Sequence, residues 1–199
     1  MKYKILENHD FKVVQSDAYN YRFDKRTGYF ARWGKTVEDD PEMSPAGPEI
    51  ADIEISTVCH GIGKPCRFCY KSNGPCGENM ALATFKSIFA KLPKIVLGQI
   101  ALGIGDVEAN PDIWAIMQHC RDNGVIPNIT VNGAPIIPQH YNNLVGLCGA
   151  VAVSCYDRDV CYDAVQELTY RGLKQVNIHC LLADERYGDC LQVIRDAVV

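Results

Sequence analysis

The sequence predicts an α/β protein, a parallel sheet of about five β/α units preceded by a small β extension. Three observations carry this. From Glu49 onward, short apolar runs alternate with segments whose apolar residues recur at helical spacing. Gly and Pro punctuate the joints, as at Pro93, Gly124 and Gly172. The strand-like runs read as apolar and non-alternating, which in a β-α-β series implies parallel strands covered by helices on at least one face.

Residues 1–48 are expected to form an N-terminal β-hairpin extension and linker. Lys12-Val-Val-Gln15 and Tyr19–Phe23 alternate like strands, Asp24-Lys-Arg-Thr-Gly28 is a turn candidate, and Tyr29–Trp33 returns. The acidic, Pro-rich stretch Glu38–Pro48 connects onward. The aromatics of the extension are expected to pack on the main domain, residues 49–199. There Ala51–Thr57 is the first strand and Asn79–Leu92 a helix ended by Pro93. Val96–Leu102 is the second strand. Asn110–Asn123 is a helix with Asn110 as N-cap, Pro111 in the first turn and a Gly124 stop. Val125–Val131 is the third strand, Pro138–Leu147 a short helix and Ala150–Ser154 the fourth strand. Arg158–Tyr170 is a helix capped by Asp157 and closed by Gly172, Gln175–Leu181 the fifth strand, and Tyr187–Val199 the last helix.

Five units are too few for a closed eightfold barrel, leaving an open or partial barrel or a doubly wound sheet. In each case ligands bind beyond the C-terminal strand ends. The cysteine loop Cys59–Cys76, Gly103–Asp106, Asn132-Gly133, Ser154–Asp157 and His179 all fall at such ends.

Composition narrows the function classes. A formal net charge of −4 gives no general attraction to nucleic acid or anionic membrane. The longest apolar stretch, Ile95 to Ile104, is too short to span a bilayer. The opening residues lack the apolar core of a signal peptide, so a cytoplasmic protein is expected. Ten cysteines in such a chain argue for reduced thiols rather than a disulfide framework. Cys120, Cys148, Cys155, Cys161, Cys180 and Cys190 read as small buried hydrophobes, and His119 and His140 as surface residues of helices.

The clustered thiols need another account. Cys59, Cys66 and Cys69 suit an iron–sulfur cluster with one iron left open, because the Cys66-x-x-Cys69 arc reaches neighbouring irons. Gly61 and Gly63 give the longer arm freedom to bring Cys59 round. With Cys76 added, the same loop suits a closed, tetrahedral four-thiolate zinc site. Spacing alone leaves both readings standing.

A three-cysteine loop after the first strand, ending Cys66-Arg-Phe68-Cys69, resembles the signature of the radical S-adenosylmethionine (radical SAM) superfamily. Gly103-Ile-Gly-Asp106 resembles its Gly-Gly-Glu motif, and Ile129-Thr-Val-Asn-Gly133 its Thr-Asn-Gly element. Val151–Ser154 and Val176–His179 occupy the fourth and fifth strand positions, so the likeness covers roughly Glu49 to Val199. It implies a partial (β/α) barrel of five to six units, and a 4Fe–4S cluster on Cys59, Cys66 and Cys69. It also implies reductive cleavage of S-adenosylmethionine to a 5′-deoxyadenosyl radical that abstracts hydrogen from a substrate. Phe68 would lie near the adenine. Gly103, Ile104, Gly105 and Asp106 would meet the methionine amino group, partly through carbonyls. Asn132 belongs to the same cofactor-binding set, and Ser154, Asn177 and His179 would contact ribose or carboxylate. A flavodoxin or ferredoxin would supply the electron. The Cys59-x6-Cys66 gap is longer than the usual three residues, and Ile104 and Asp106 stand where Gly and Glu are common. Five units against six imply either a compact member or a chain cut short after the fifth. The alternative expectation is a zinc-stabilised β/α binding module without redox chemistry.

Overall fold

Two sheets divide the chain. The structure, a computed structural model, describes residues 2–67, 69–134 and 136–197. β1 (Lys4–Glu7), β2 (Phe11–Gln15), β3 (Asn20–Asp24) and β4 (Phe30–Trp33) form an antiparallel meander in chain order. The expected hairpin is therefore a four-stranded sheet. β1 escaped the sequence reading because all four of its residues are exposed, so no buried face imposes alternation on it.

β5 (Ile50–Glu54), β6 (Gln99–Gly103), β7 (Ile126–Val131), β8 (Val151–Ser154) and β9 (Val176–His179) form the second sheet, all parallel and in sequence order. Between them run α1 (Leu82–Lys91), α2 (Ile113–Asp122), α3 (Pro138–Leu147) and α4 (Arg158–Tyr170), and α5 (Tyr187–Asp196) follows β9. Crossovers between parallel strands are right-handed, so a strand order that never reverses places every crossover helix on one face. Neighbouring helices α1 to α4 accordingly touch in chain order. The doubly wound alternative, which needs a reversal, is excluded. Among the described residues the sheet is open, with β5 and β9 at its edges.

The register sorts the strand residues. Ile53, Leu102, Ile129 and Val151 share the helix face and are buried against Phe85 and Phe89 of α1, Ile116 and Met117 of α2, Leu144 of α3 and Leu168 of α4. Burying each such side chain contributes about 1.5–3 kcal/mol. The opposite face is polar: Asp52 aligns with Ala101 and Asn128, Thr130 with Ala152 and Asn177, and Ser154 with His179. The expectation of non-alternating strands is thus corrected, since only one face is covered. The lower end of the polar face is closed by the N-terminal sheet. Ile126 and Val96 pack with Tyr19, Tyr21 and Phe23, and the Gln99 amide donates to the Gly28 carbonyl at 2.8 Å. Glu49, 8% exposed, accepts from the Tyr19 hydroxyl at 2.7 Å and pairs with Arg32. Most aromatics of the extension do pack inward, though Tyr29 and Trp33 stay exposed.

Several element ends moved. The first strand stops at Glu54 because Ile55 and Ser56 both turn their N–H groups to the Gly103 carbonyl. α2 starts at Ile113, so Asn110 lies two residues before its Asp112 cap position. The Asn110 amide donates to the carbonyls of Ile55 and Met80, at 2.7 and 3.0 Å, and its oxygen accepts from the Asp112 N–H. Asp157 does cap α4, accepting from the Val160 N–H at 3.1 Å, and Gly124 and Gly172 follow their helices with positive φ as expected. His119 and His140 are half-buried rather than fully exposed. His119 lies edge-on to Phe85 and Phe89, and His140 lies tilted against Trp114 and pairs with Glu108 at 2.9 Å. Cys180 is exposed rather than buried. Among the described residues no helix is long and apolar enough to cross a membrane.

Candidate functional site

The C-terminal strand ends meet at the cysteine loop. After β5 the chain runs through Ser56, whose hydroxyl bonds the Asn79 oxygen at 2.6 Å, and reaches Cys59. The Cys59 N–H donates to the Gly74 carbonyl at 3.1 Å, so the two limbs of the loop are tied across its neck. A tight turn joins Cys66 to Cys69, the Cys69 N–H donating to the Cys66 carbonyl at 3.2 Å. The Cys69 sulfur accepts from the Asn73 N–H at 3.4 Å. Cys59, Cys66 and Cys69 are partly buried, whereas Cys76 is exposed.

From the end of β6, Gly105 backs directly onto Cys59. A Cβ at Gly105 would lie 2.5 Å from the Cys59 Cβ and 2.7 Å from its Sγ. No side chain fits there. Asp106 follows and gathers its neighbours. One carboxylate oxygen accepts from the His60 N–H at 2.7 Å and pairs with His60 Nδ1 at 2.8 Å. The other accepts from the Asn132 amide at 2.7 Å and lies 3.6 Å from the Cys59 sulfur. Burial pushes the Cys59 thiol up, and the Asp106 charge and hydrogen bond push in the same direction. Asn132 itself is buried, and its oxygen accepts from the Ala134 N–H at 3.1 Å.

From β8 comes a residue that the sequence reading passed over. Tyr156 follows Ser154 and Cys155, and its phenol is raised by burial and then by the Cys66 thiol, with Cys69 and Cys59 adding to it. The signal available was position alone, an aromatic two residues past a strand end. Protein-family models and curated proteins both return no match to this chain. The site therefore rests on its own residues.

Those residues stand as follows. Cys59, Asp106 and Asn132 are brought together. Ile104 is buried in the core, so its side chain faces no ligand and only its backbone is available. The Gly103 carbonyl is already taken by the N–H groups of Ile55 and Ser56, which removes it from the expected carbonyl set. A Cβ on Gly103 would meet Glu54 Oε2 and Lys71 Nζ at 2.8 Å each, and Glu54 and Lys71 form a close ion pair beside it. Asn177 and His179 are exposed on the polar face and Ser154 is half-buried there. Phe68 lies outside the described residues. Among the described residues no three His, Cys, Asp or Glu side chains stand in an arrangement ready to hold a metal ion. A surface hollow of about 460 Å³, lined by Asp17, Asn20 and Trp33 among others, lies on the N-terminal sheet and has no convergent chemistry.

Proposed function

We propose that the chain is a radical SAM enzyme whose Cys59, Cys66 and Cys69 hold a 4Fe–4S cluster, and whose polar sheet face receives the substrate. The observation that carries this reading is the contact between strand ends. Gly105 packs on Cys59 without room for a Cβ, while Asp106 and Asn132 lock the ends of β6 and β7 to that same residue. A cluster bound at these thiolates supplies the electron for reductive cleavage of S-adenosylmethionine to methionine and a 5′-deoxyadenosyl radical, with a flavodoxin or ferredoxin as donor.

The donor set is chemically of the kind such a group takes, and its sulfurs would have to be gathered from their present positions to hold it. Three soft sulfurs lie on one loop, with two of them on a turn of two intervening residues and the third tied to the loop neck. Loading requires each thiol to lose its proton. Asp106 then ceases to accept from Cys59 and keeps His60 and Asn132, so it acts as a positioning residue. Tyr156, whose phenol is raised, stays protonated at neutral pH beside these thiols. Below the rim, the side chains of Asp52, Thr130, Asn177 and His179 are exposed on one face and make no hydrogen bond to the described residues, which suits a polar substrate.

The test is formation of 5′-deoxyadenosine from S-adenosylmethionine with dithionite under anaerobic conditions. Turnover is expected from the wild type and is expected to vanish in Cys59→Ala, Cys66→Ala and Cys69→Ala but to survive Cys76→Ala. A wild-type protein that carries iron and sulfide yet gives no 5′-deoxyadenosine overturns the reading.

A further inference from the structure

Two glycines at the end of β6 each seat one limb of the cysteine loop. Gly105 lies under Cys59, whose Cβ and Sγ occupy the place a side chain would need. Two residues earlier, Gly103 aligns with Glu54, the last residue of β5. Lys71, two residues past Cys69, forms a close ion pair with Glu54. A Cβ at Gly103 would meet Glu54 Oε2 and Lys71 Nζ at 2.8 Å each. This pair fills the space that a side chain at Gly103 would take.

The neck of the loop is fixed by backbone bonds. The Cys59 N–H donates to the Gly74 carbonyl and the Gly74 N–H to the Thr57 carbonyl, at 3.1 Å each. The limb from Cys66 to Ser72 has backbone bonds that stay within it, from the Cys69 N–H to the Cys66 carbonyl and from the Ser72 N–H to the Cys69 carbonyl. Among the described residues two ion pairs tie this limb to the rest of the chain. Arg67 reaches Glu185 at 3.0 Å, but the two side chains are 75% and 54% exposed, and water screens such a pair. Lys71 and Glu54 are 27% and 36% exposed. Glu54 Oε1 is buried with no hydrogen-bond partner among the described residues, so Lys71 is the group that compensates a carboxylate partly withdrawn from water. The inner pair is the stronger tie.

We infer that Glu54 and Lys71 are positioning residues for the cysteine loop. Glu54 acts through Lys71 to seat the Cys66–Cys69 limb on the end of β6, the strand end that also seats Cys59. Gly103 is glycine to admit this pair, which gives it a role in holding the loop. The sulfurs have to be gathered to hold a cluster, and a limb already anchored loses less freedom when that happens. This consequence for metal loading rests on the radical SAM reading; the tie itself does not.

The test compares the full-length wild type with Glu54→Gln, Lys71→Met, the double variant and Lys71→Arg. Hydrogen exchange of the metal-free protein, read by mass spectrometry, follows the peptide that carries the Ser72 and Asn73 amides, which bond the Cys69 carbonyl and sulfur. Exchange there is expected to speed up about twofold to fivefold in Glu54→Gln and in Lys71→Met. It is expected to go no further in the double variant and to stay near wild type in Lys71→Arg. Iron retained after anaerobic reconstitution is expected to fall in the same variants while the far-ultraviolet spectrum stays native. Wild-type exchange in Glu54→Gln overturns the tie, and so do effects that simply add in the double variant. Faster exchange with wild-type iron retention overturns the positioning role. A wild type that takes up no iron overturns the radical SAM reading instead, and the exchange rates still decide the tie.

Discussion

Gly105 is where a single hydrogen in place of a methyl decides whether the rim can form. Gly105→Ala places a Cβ against Cys59 and costs about 1–3 kcal/mol in displaced backbone. Because the clash falls on a proposed ligand, iron retained after anaerobic reconstitution is expected to fall several-fold while the far-ultraviolet spectrum stays native. Retention of wild-type iron would contradict the placement. Asp106→Ala strips partners from His60 and Asn132, and the loss of these bonds is expected to destabilise the fold by about 1–3 kcal/mol in urea titration. Residue identity was legible here, since thiols, a carboxylate and an amide at strand ends can be read from the chain. Their wiring was not. Nothing in Gly103-Ile-Gly-Asp106 reveals that the Gly103 carbonyl is taken by β5, or that Ile104 turns into the core. Tyr156 was missed because one aromatic past a strand end has no pattern to announce it.

At the scale of elements, the β/α series was legible because buried helical faces repeat apolar residues at a period the backbone enforces. The ends were less so. Asn110 lies just before α2, its oxygen accepting from the Asp112 N–H, while its amide donates to the tertiary carbonyls of Ile55 and Met80 and ties β5 to the start of α1 and α2. Asn110→Ala is therefore expected to cost about 2 kcal/mol, more than a surface cap, because buried carbonyls lose their donor. Asp157→Ala, by contrast, removes a true cap and is expected to cost about 1 kcal/mol. Urea midpoints of the two variants give the comparison, and equal losses would contradict the distinction. The strand faces were misread for a related reason: strands of four to six residues are too short for a period of two to stand out, so Asp52, Thr130 and Asn177 looked incidental until the register aligned them.

For the whole molecule, the antiparallel sheet stoppers the N-terminal end of a singly wound parallel sheet that is open among the described residues, and the cysteine loop sits at the other end. Buried thiols make stability depend on alkaline pH. Burial pushes Cys120 and Cys148 each up to about 12 from an ordinary value of 9.0. The folded state keeps these protons after the unfolded state has lost them, so their contribution is full below about pH 9 and is lost as pH rises toward 12. Urea midpoints are expected to fall from pH 8.5 to 10.5 along that course (about two pH units), with a shallower fall in Cys120→Ala. An unchanged pH dependence in Cys120→Ala would contradict the assignment. The central claim is the centre at Cys59, Cys66 and Cys69. Its most direct measurement is iron, sulfide and zinc content after anaerobic reconstitution. The account predicts a brown protein with about four iron and four sulfide per chain, retained in Cys76→Ser and lost in Cys59→Ala. A colourless protein holding one zinc ion that Cys76→Ser releases would contradict it.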